Sequence, residues 1–127
     1  MKHIFVCTLA DGSNAQQIQP SNWNDVHCLT PRPISASTSG LENDDWIQAI
    51  GGSGGISYTL YSTPTTGQVV LVMKVDAGAG AVTVFRATTE TINSLNALGE
   101  TSYLLINPGQ YVELTYDGSN WWVTNSN

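Results

Sequence analysis

Hydrophobic and polar residues alternate along several short stretches of the chain. In residues 56–60, Ile56, Tyr58 and Leu60 fall on one side, whereas Ser57 and Thr59 fall on the other. Residues 110–116 repeat this pattern. Alternation with a period of two is typical of a β-strand that packs one face against a core. Both stretches therefore predict strands.

A longer apolar run, residues 68–75, has hydrophobic side chains on both faces. This pattern predicts a strand that is covered on both sides, either within the domain or at a subunit interface. We assign Val70 and Val72 to such an interface. A turn of small residues, 76–80, separates this run from a second apolar run, 81–86.

Two adjacent tryptophans follow a hairpin signal near the end of the sequence. Asp117-Gly118 lies between apolar stretches, as expected of a tight β-hairpin turn. Successive side chains of a strand point to opposite faces, so Trp121 and Trp122 cannot both lie in the core. We expect one to be buried and the other exposed or at an interface, and we assign Trp122 to the subunit interface, where tryptophan is enriched.

Counting the stretches at 44–50 and 102–106 as well, the sequence predicts seven or eight short strands. Their near-regular spacing predicts an all-β fold, specifically an antiparallel β-sandwich or jelly-roll-like domain. Residues 88–98 are open to two interpretations. Ile92, Leu95 and Leu98 are spaced by three and would line one side of a helical turn, or the segment is an irregular loop.

Residues 1–40 lack the regular alternation of hydrophobic and polar residues that marks the strands of the rest of the chain. The segment Thr30-Pro-Arg-Pro33 forces an extended path, and residues 35–40 are small and polar. We predict an extended N-terminal arm and linker over residues 1–40 and a β-sandwich domain over 41–127. The arm either attaches to a partner or wraps its own domain. Its widely spaced apolar anchors are Ile18, Trp23, Val26 and Leu29.

Charge narrows the range of partners. The 127 residues include four basic and ten acidic side chains, for a net charge of −6. The basic residues are scattered, whereas a nucleic acid or an anionic membrane surface requires a clustered cationic face. We therefore expect no nucleic-acid and no membrane partner. Residues 1–40 are electrically neutral, so the whole negative charge lies in residues 41–127.

The two cysteines, Cys7 and Cys28, are too few for a disulfide framework. The sequence also contains no signal-peptide pattern and no apolar run of membrane-spanning length. We expect synthesis in a reducing cytoplasm, with both thiols reduced.

Candidate chemistry is sparse. His27 lies beside Asp25 and Cys28, but a zinc site needs three or four ligands, and neither His3 nor Cys7 has supporting spacing. The pair Asp44-Asp45 could serve a glycosidase only if two carboxylates faced each other across a cleft, and we interpret both as residues of a turn or of the start of a strand. We therefore predict no catalytic residues, no metal site and no cofactor.

The pieces of the predicted β domain follow one another in this order: Asp45-Trp46, the glycine-rich turn 51–55, Ile56–Leu60, Gly67, Val70–Asp76, Ala81–Val84, Thr91–Asn93, Ser102–Leu105, Gln110–Thr115, Asp117-Gly118 and Trp121–Val123. Their order resembles, over about 80 residues, a β module of bacteriophage head fibre, capsid decoration (cement) and tail fibre proteins. The piece Trp23-Asn-Asp-Val-His27 also resembles one that precedes the module in fibre-type proteins. One departure is residues 94–100, because the family usually passes almost directly from a Thr-Ile-Asn turn to a Ser-Tyr strand.

The resemblance implies a virion structural protein, usually a homotrimer, without enzymatic activity. We expect a capsid decoration protein on the capsid surface of the virion, assembled in the host cytoplasm. It would bind the major capsid protein of the assembled head shell through the arm and stabilise that shell. One alternative is a tail-fibre or receptor-binding module that recognises host surface glycans through exposed aromatics and residues 88–100. A small glycan-active enzyme is a third.

Overall fold

The computed structural model describes residues 31–127. This part of the chain is built from strands and turns alone, so it contains no helix that is long and apolar enough to cross a membrane. The all-β prediction is confirmed. The strands are β1 (Pro31–Ile34), β2 (Thr38–Ser39), β3 (Trp46–Ala49), β4 (Ile56–Thr59), β5 (Val69–Lys74), β6 (Val82–Phe85), β7 (Ile92–Ser94), β8 (Ala97–Glu100), β9 (Ser102–Leu105), β10 (Tyr111–Tyr116) and β11 (Trp121–Ser126).

The strands form two sheets. The seven-stranded sheet has the order β1-β3-β5-β10-β11-β7-β8, and the four-stranded sheet has the order β2-β4-β6-β9. The first six strands thus alternate between the sheets. The predicted hairpin at Asp117-Gly118 is confirmed, because β10 and β11 pair in antiparallel fashion across it.

The expectation of purely antiparallel pairing is wrong. Of the nine strand pairs in the described part, five are parallel and four are antiparallel. Four of the five parallel pairs follow from the alternation of β1 to β6, and the fifth joins β7 to β11. When the chain leaves one sheet, runs through a strand of the other and returns, it comes back in its original direction. The strand of the opposite sheet thus serves as the crossover that parallel pairing requires.

Buried side chains from both sheets lie in one hydrophobic core cluster. On β5 and β10 the inward positions alternate with outward ones, which explains the sequence pattern. The core also takes in Trp121 and Tyr58, its two largest side chains. The members are Ile34, Ile47, Ala49, Tyr58, Leu60, Val70, Val72, Val82, Val84, Ile92, Leu105, Val112, Leu114 and Trp121.

Two glycine-rich turns, 51–55 and 76–80, lie against each other. The amide of Gly80 donates to the carbonyl of Gly52 at 2.8 Å. A Cβ atom on Gly80 would lie 2.1 Å from the nitrogen of Gly55, so only glycine allows this approach. Glycine is required at position 80 because the two turns approach each other closely, and not because its φ angle is unusual.

Residues 88–98 form no helical turn, and the irregular loop is limited to residues 88–91, which precede β7. Strands β7 and β8 make an antiparallel hairpin in which Ser94 pairs with Ala97. Ile92 is buried, whereas Leu95 is 99% exposed and Leu98 70% exposed. The spacing of three fails because Leu95 occupies the two-residue turn and shares no face with Ile92.

Residues 31–40, which the sequence assigned to the arm and linker, contain strands of both sheets. The path forced by Pro31 and Pro33 is extended, as predicted, and forms β1 at the edge of the seven-stranded sheet. Proline suits an edge because it has no N–H to donate. The compact unit accordingly begins at Pro31 and runs to Asn127.

Candidate functional site

The most distinctive surface is the outer side of the seven-stranded sheet. Strands β1, β3, β5, β10 and β11 turn alternate side chains away from the core, and most of these are apolar. We call them the outer apolar face. Its members are Pro31, Pro33, Trp46, Val69, Leu71, Met73, Tyr111 and Trp122.

Strand register brings these side chains into rows. Pro31 pairs with Trp46, and Trp46 pairs with Leu71. In the next row, Met73 lies opposite Tyr111. Glu113 is the one charged residue that these five strands turn outward, and its carboxylate accepts a hydrogen bond from Thr124 at 2.8 Å. Gln48, between Pro33 and Met73, and Thr115, between Val69 and Trp122, also point outward, so the face is mostly apolar and carries a single charge.

Trp122 is oriented by the turn that precedes it. Its indole Nε1 donates to Asp117 Oδ2 at 2.7 Å, and its side chain remains 41% exposed. The other oxygen, Asp117 Oδ1, accepts from the amides of Ser119 and Asn120. Hydrogen bonds from Asn120, Ser119 and Trp122 lower the pKa of Asp117. The indole is therefore held in place before anything binds to it.

Trp121 takes the opposite direction and is fully buried, so the prediction of one core and one exposed tryptophan is confirmed. Its ring lies 5.2 Å from that of Tyr116 at 48°, a tilted arrangement favoured between aromatic rings. Trp122 was assigned to a subunit interface, and its position on the surface allows that role.

Val70 and Val72 were assigned to the same interface, but the structure places them elsewhere. They are 1% and 0% exposed, and they lie in the core of the chain itself. An interface on β5 would have to use the alternate residues, Val69, Leu71 and Met73. The run is apolar on both faces because one face fills the core and the other belongs to the outer apolar face.

Asp44 is a buried carboxylate with four hydrogen bonds. It accepts from Arg32 Nε at 2.7 Å and Nη2 at 2.5 Å, from the amide of Leu41 at 2.7 Å and from the hydroxyl of Tyr58 at 2.9 Å. Burial raises the pKa of Asp44, but these hydrogen bonds, led by that from Arg32, outweigh it, and the pKa lies below its usual value. Burial, with Asp44 nearby, raises the pKa of Tyr58.

This cluster ties β1 and β4 to the turn before β3. The four hydrogen bonds of Asp44 therefore join three separate parts of the fold, which is a structural role for this carboxylate. Asp45, the other member of the pair considered for a glycosidase, is exposed. The two carboxylates therefore do not face each other across a cleft.

A second polar cluster fixes the glycine-rich turns. Lys74 is fully buried, and its Nζ donates to Asp76 Oδ1 at 2.7 Å, to the carbonyl of Gly78 at 2.9 Å and to that of Asp76 at 3.1 Å. The Asp76 carboxylate also accepts from the amides of Gly51 and Gly52, both at 2.9 Å. Lys74, followed by these amides, lowers the pKa of Asp76.

A cleft of about 370 Å³ opens between the β7–β8 hairpin and the end of β11. Tyr103 of β9 forms part of its wall, and Leu95 and Asn96 form its rim. Its remaining lining is Ser94, Val123, Thr124, Asn125 and Ser126, so amide and hydroxyl groups lie beside apolar side chains and no charged residue lines the cleft.

Four predicted attachment residues, Ile18, Trp23, Val26 and Leu29, lie outside the described residues, as does His27. Within residues 31–127 there is no group of three or more histidine, cysteine or acidic side chains that could hold a metal ion.

Sequence reasoning missed both polar clusters and the outer apolar face as a unit. Arg32 and Asp44 are twelve positions apart, and no spacing rule connects them. A signal was present for Lys74, because a single lysine inside an apolar run must either leave the core or find partners there.

No protein-family model matches the chain, and the search of curated proteins found no match.

Proposed function

We propose that this chain is a phage capsid decoration protein that binds the major capsid protein of the assembled head shell as a homotrimer. The observation that carries the proposal is the outer apolar face. Contiguous apolar surface rimmed by polar residues marks protein–protein contacts. Obligate interfaces between copies are large and hydrophobic.

In this proposal the two sheets pack as a β-sandwich of the jelly-roll type around their shared core, and the outer apolar face joins the copies. Val69 and Trp122, each 41% exposed, supply accessible apolar contacts. Trp122 is held by Asp117, so it loses little side-chain freedom on binding. The N-terminal arm attaches the trimer to the shell through Ile18, Trp23, Val26 and Leu29.

The trimer is tested with Val69→Asp, which places a charge on the outer apolar face. A carboxylate buried without a partner costs several kcal/mol, so we expect the trimer to dissociate and the mass in dilute solution to fall to that of a monomer. The matched control is Leu41→Asp, because Leu41 is 56% exposed and lies in the β2–β3 turn, off this face. A trimer that persists in Val69→Asp contradicts this interface.

A receptor-binding module for host surface glycans is a second candidate, favoured by Trp122 and the hairpin cleft. An exposed, oriented indole can stack on a sugar ring, and uncharged amide and hydroxyl groups suit a neutral polyhydroxylated ligand. If this second function is correct, Trp122→Ser and Asn96→Ala abolish binding to host cells, whereas the stability of purified head shells does not change.

A further inference from the structure

Sheet edges are sites where another strand can pair, and the two sheets have four of them. Three are blunted. Strand β1 carries Pro31 and Pro33, β2 is two residues long, and β8 contains Gly99 in a left-handed conformation next to Glu100. Strand β9 has none of these protections. Its sequence is Ser-Tyr-Leu-Leu, and Leu104 is 48% exposed.

The backbone of β9 shows which groups are free. The amide of Arg86 donates to the carbonyl of Thr101 at 3.0 Å. Because bonded residues alternate in an antiparallel ladder, Tyr103 and Leu105 point their N–H and C=O groups at β6. Ser102 and Leu104 point theirs away. Within residues 31–127, neither amide donates to a protein group.

The next outward amide is already occupied. Gln110 Oε1 accepts from the amide of Ile106 at 2.7 Å and from that of Asn107 at 3.1 Å. The side chain of Gln110 thus closes the edge after Leu104. Within residues 31–127, a short free edge remains, consisting of the N–H and C=O groups of Ser102 and Leu104.

These two N–H and two C=O groups are complementary to the same groups of a second copy. In an antiparallel pair of two β9 strands with Tyr103 opposite its counterpart, Ser102 of each copy lies opposite Leu104 of the other. Four N–H···O bonds then form, and every free group is used. A pair centred on Leu104 would require the amide of Ile106, which Gln110 holds.

Charge also favours a second copy. The chain carries a net charge of −6, so copies repel each other unless charged groups are kept away from the contact. The four strands of this sheet, β2, β4, β6 and β9, contain no charged residue. On the outer side, Leu104 would lie beside Ser102 of the second copy, next to the exposed Phe85 of that copy.

We propose that β9 is a self-association edge that pairs with β9 of a second copy about a two-fold axis at Tyr103, joining two four-stranded sheets into one of eight strands. This contact does not use the outer apolar face and does not rest on the proposed function. It adds a two-fold contact to any homotrimer that forms.

The test is the mass of the purified full-length chain in solution, measured over a range of concentrations for wild type, Leu104→Lys and Leu41→Lys. A lysine on the free edge opposes strand pairing, as edge lysines do in natural sheets. We expect the wild type and Leu41→Lys to reach twice the mass of Leu104→Lys at high concentration. Equal masses for all three at every concentration overturn the proposal.

Amide exchange of the wild type provides a second readout that does not depend on any variant. The amides of Ser102 and Leu104 should exchange rapidly in dilute samples and at least tenfold more slowly in concentrated ones. Those of Tyr103 and Leu105, which bond to β6, should be protected in both. If Ser102 and Leu104 exchange equally fast at both concentrations, the edge is not paired. Val69→Asp should show the same slowing of exchange at Ser102 and Leu104 in concentrated samples. Loss of the trimer can therefore be told apart from loss of the β9 contact.

Discussion

At the scale of single residues, the few charges of this chain hold structure together. Asp44 anchors Arg32, Tyr58 and a turn amide, and Lys74 with Asp76 joins two glycine-rich turns. A buried charge is costly unless it is paired and hydrogen-bonded, and these groups meet that requirement. Their removal should therefore affect stability far more than the removal of exposed charges.

Asp44→Asn tests this directly. The substitution removes the charge that faces Arg32 and leaves buried donors without their acceptor, so we expect a loss of about 1–3 kcal/mol in the free energy of unfolding. The control is Asp45→Asn at the neighbouring exposed position, with a change within about 0.5 kcal/mol. Urea denaturation measures both. Equal effects would show that the hydrogen bonds of Asp44 contribute nothing specific.

Stability should also depend on pH through the same residue. The pKa of Asp44 in the folded chain lies below its ordinary value of 3.8, so its contribution is fully present above about pH 4. It is lost as the pH falls through the folded pKa. The pKa values of Asp76, Glu90 and Asp117 are lowered too, and they act in the same direction.

We therefore expect the urea midpoint of the wild type to fall as the pH drops below about 4. Asp44→Asn should fall less steeply, because one of these carboxylates is missing. Parallel curves for the two proteins would contradict the assignment.

Sequence patterns predicted residue roles only where they are local. Alternation and the hairpin signal placed Trp121 and Trp122 on opposite faces, and the structure confirms it. The same patterns could not separate Val70 and Val72 from Val69, because a run that is apolar on both faces does not show which face is the core. The pairing of Arg32 with Asp44 depends on the fold and has no local signal.

At the scale of elements, the sequence predicts turns more readily than it predicts which strands pair. The turn at residues 76–80 was predicted, and the structure adds the reason for Gly80, which packs against the backbone of Gly55. The hairpin of β7 and β8 was missed because Ile92, Leu95 and Leu98 fit a helical spacing by coincidence. The parallel pairs were missed because short strands in sequence usually suggest hairpins.

Gly80→Ala tests the contact between the turns. Its Cβ atom would lie 2.1 Å from the nitrogen of Gly55 and 2.5 Å from the carbonyl oxygen of Gly51, so backbone must move. We expect the free energy of unfolding to fall by at least about 1–3 kcal/mol. Gly54→Ala in the neighbouring turn is the control, because nothing lies within 4 Å of its Cβ position.

Thermal unfolding of these two variants provides the comparison. Gly54→Ala should match the wild type or exceed it slightly, since alanine restricts the unfolded chain. If Gly80→Ala unfolds at the same temperature as Gly54→Ala, the turns do not pack as described.

At the scale of the whole molecule, residues 31–127 form an acidic β domain with one mostly apolar sheet face and one sheet whose strands carry no charge. An N-terminal truncation separates the roles proposed for the β domain and the arm. Because residues 31–40 form β1 and β2, the deletion must end at Thr30. We expect residues 31–127 to keep the thermal unfolding midpoint of the full chain to within a few degrees, on the order of 5 °C.

The truncated chain should no longer bind purified head shells. Full-length protein carrying Leu41→Asp serves as the control that retains binding. Head binding by residues 31–127 alone would move the attachment site from the arm to the β domain.

The most direct measurement of the central claim is a cryo-electron microscopy map of intact virions that contain this protein. We expect three-lobed densities on the outside of the head shell at local three-fold positions, each lobe fitted by the β domain of residues 31–127. A bare shell, with the β domain found only at the tail, would contradict it.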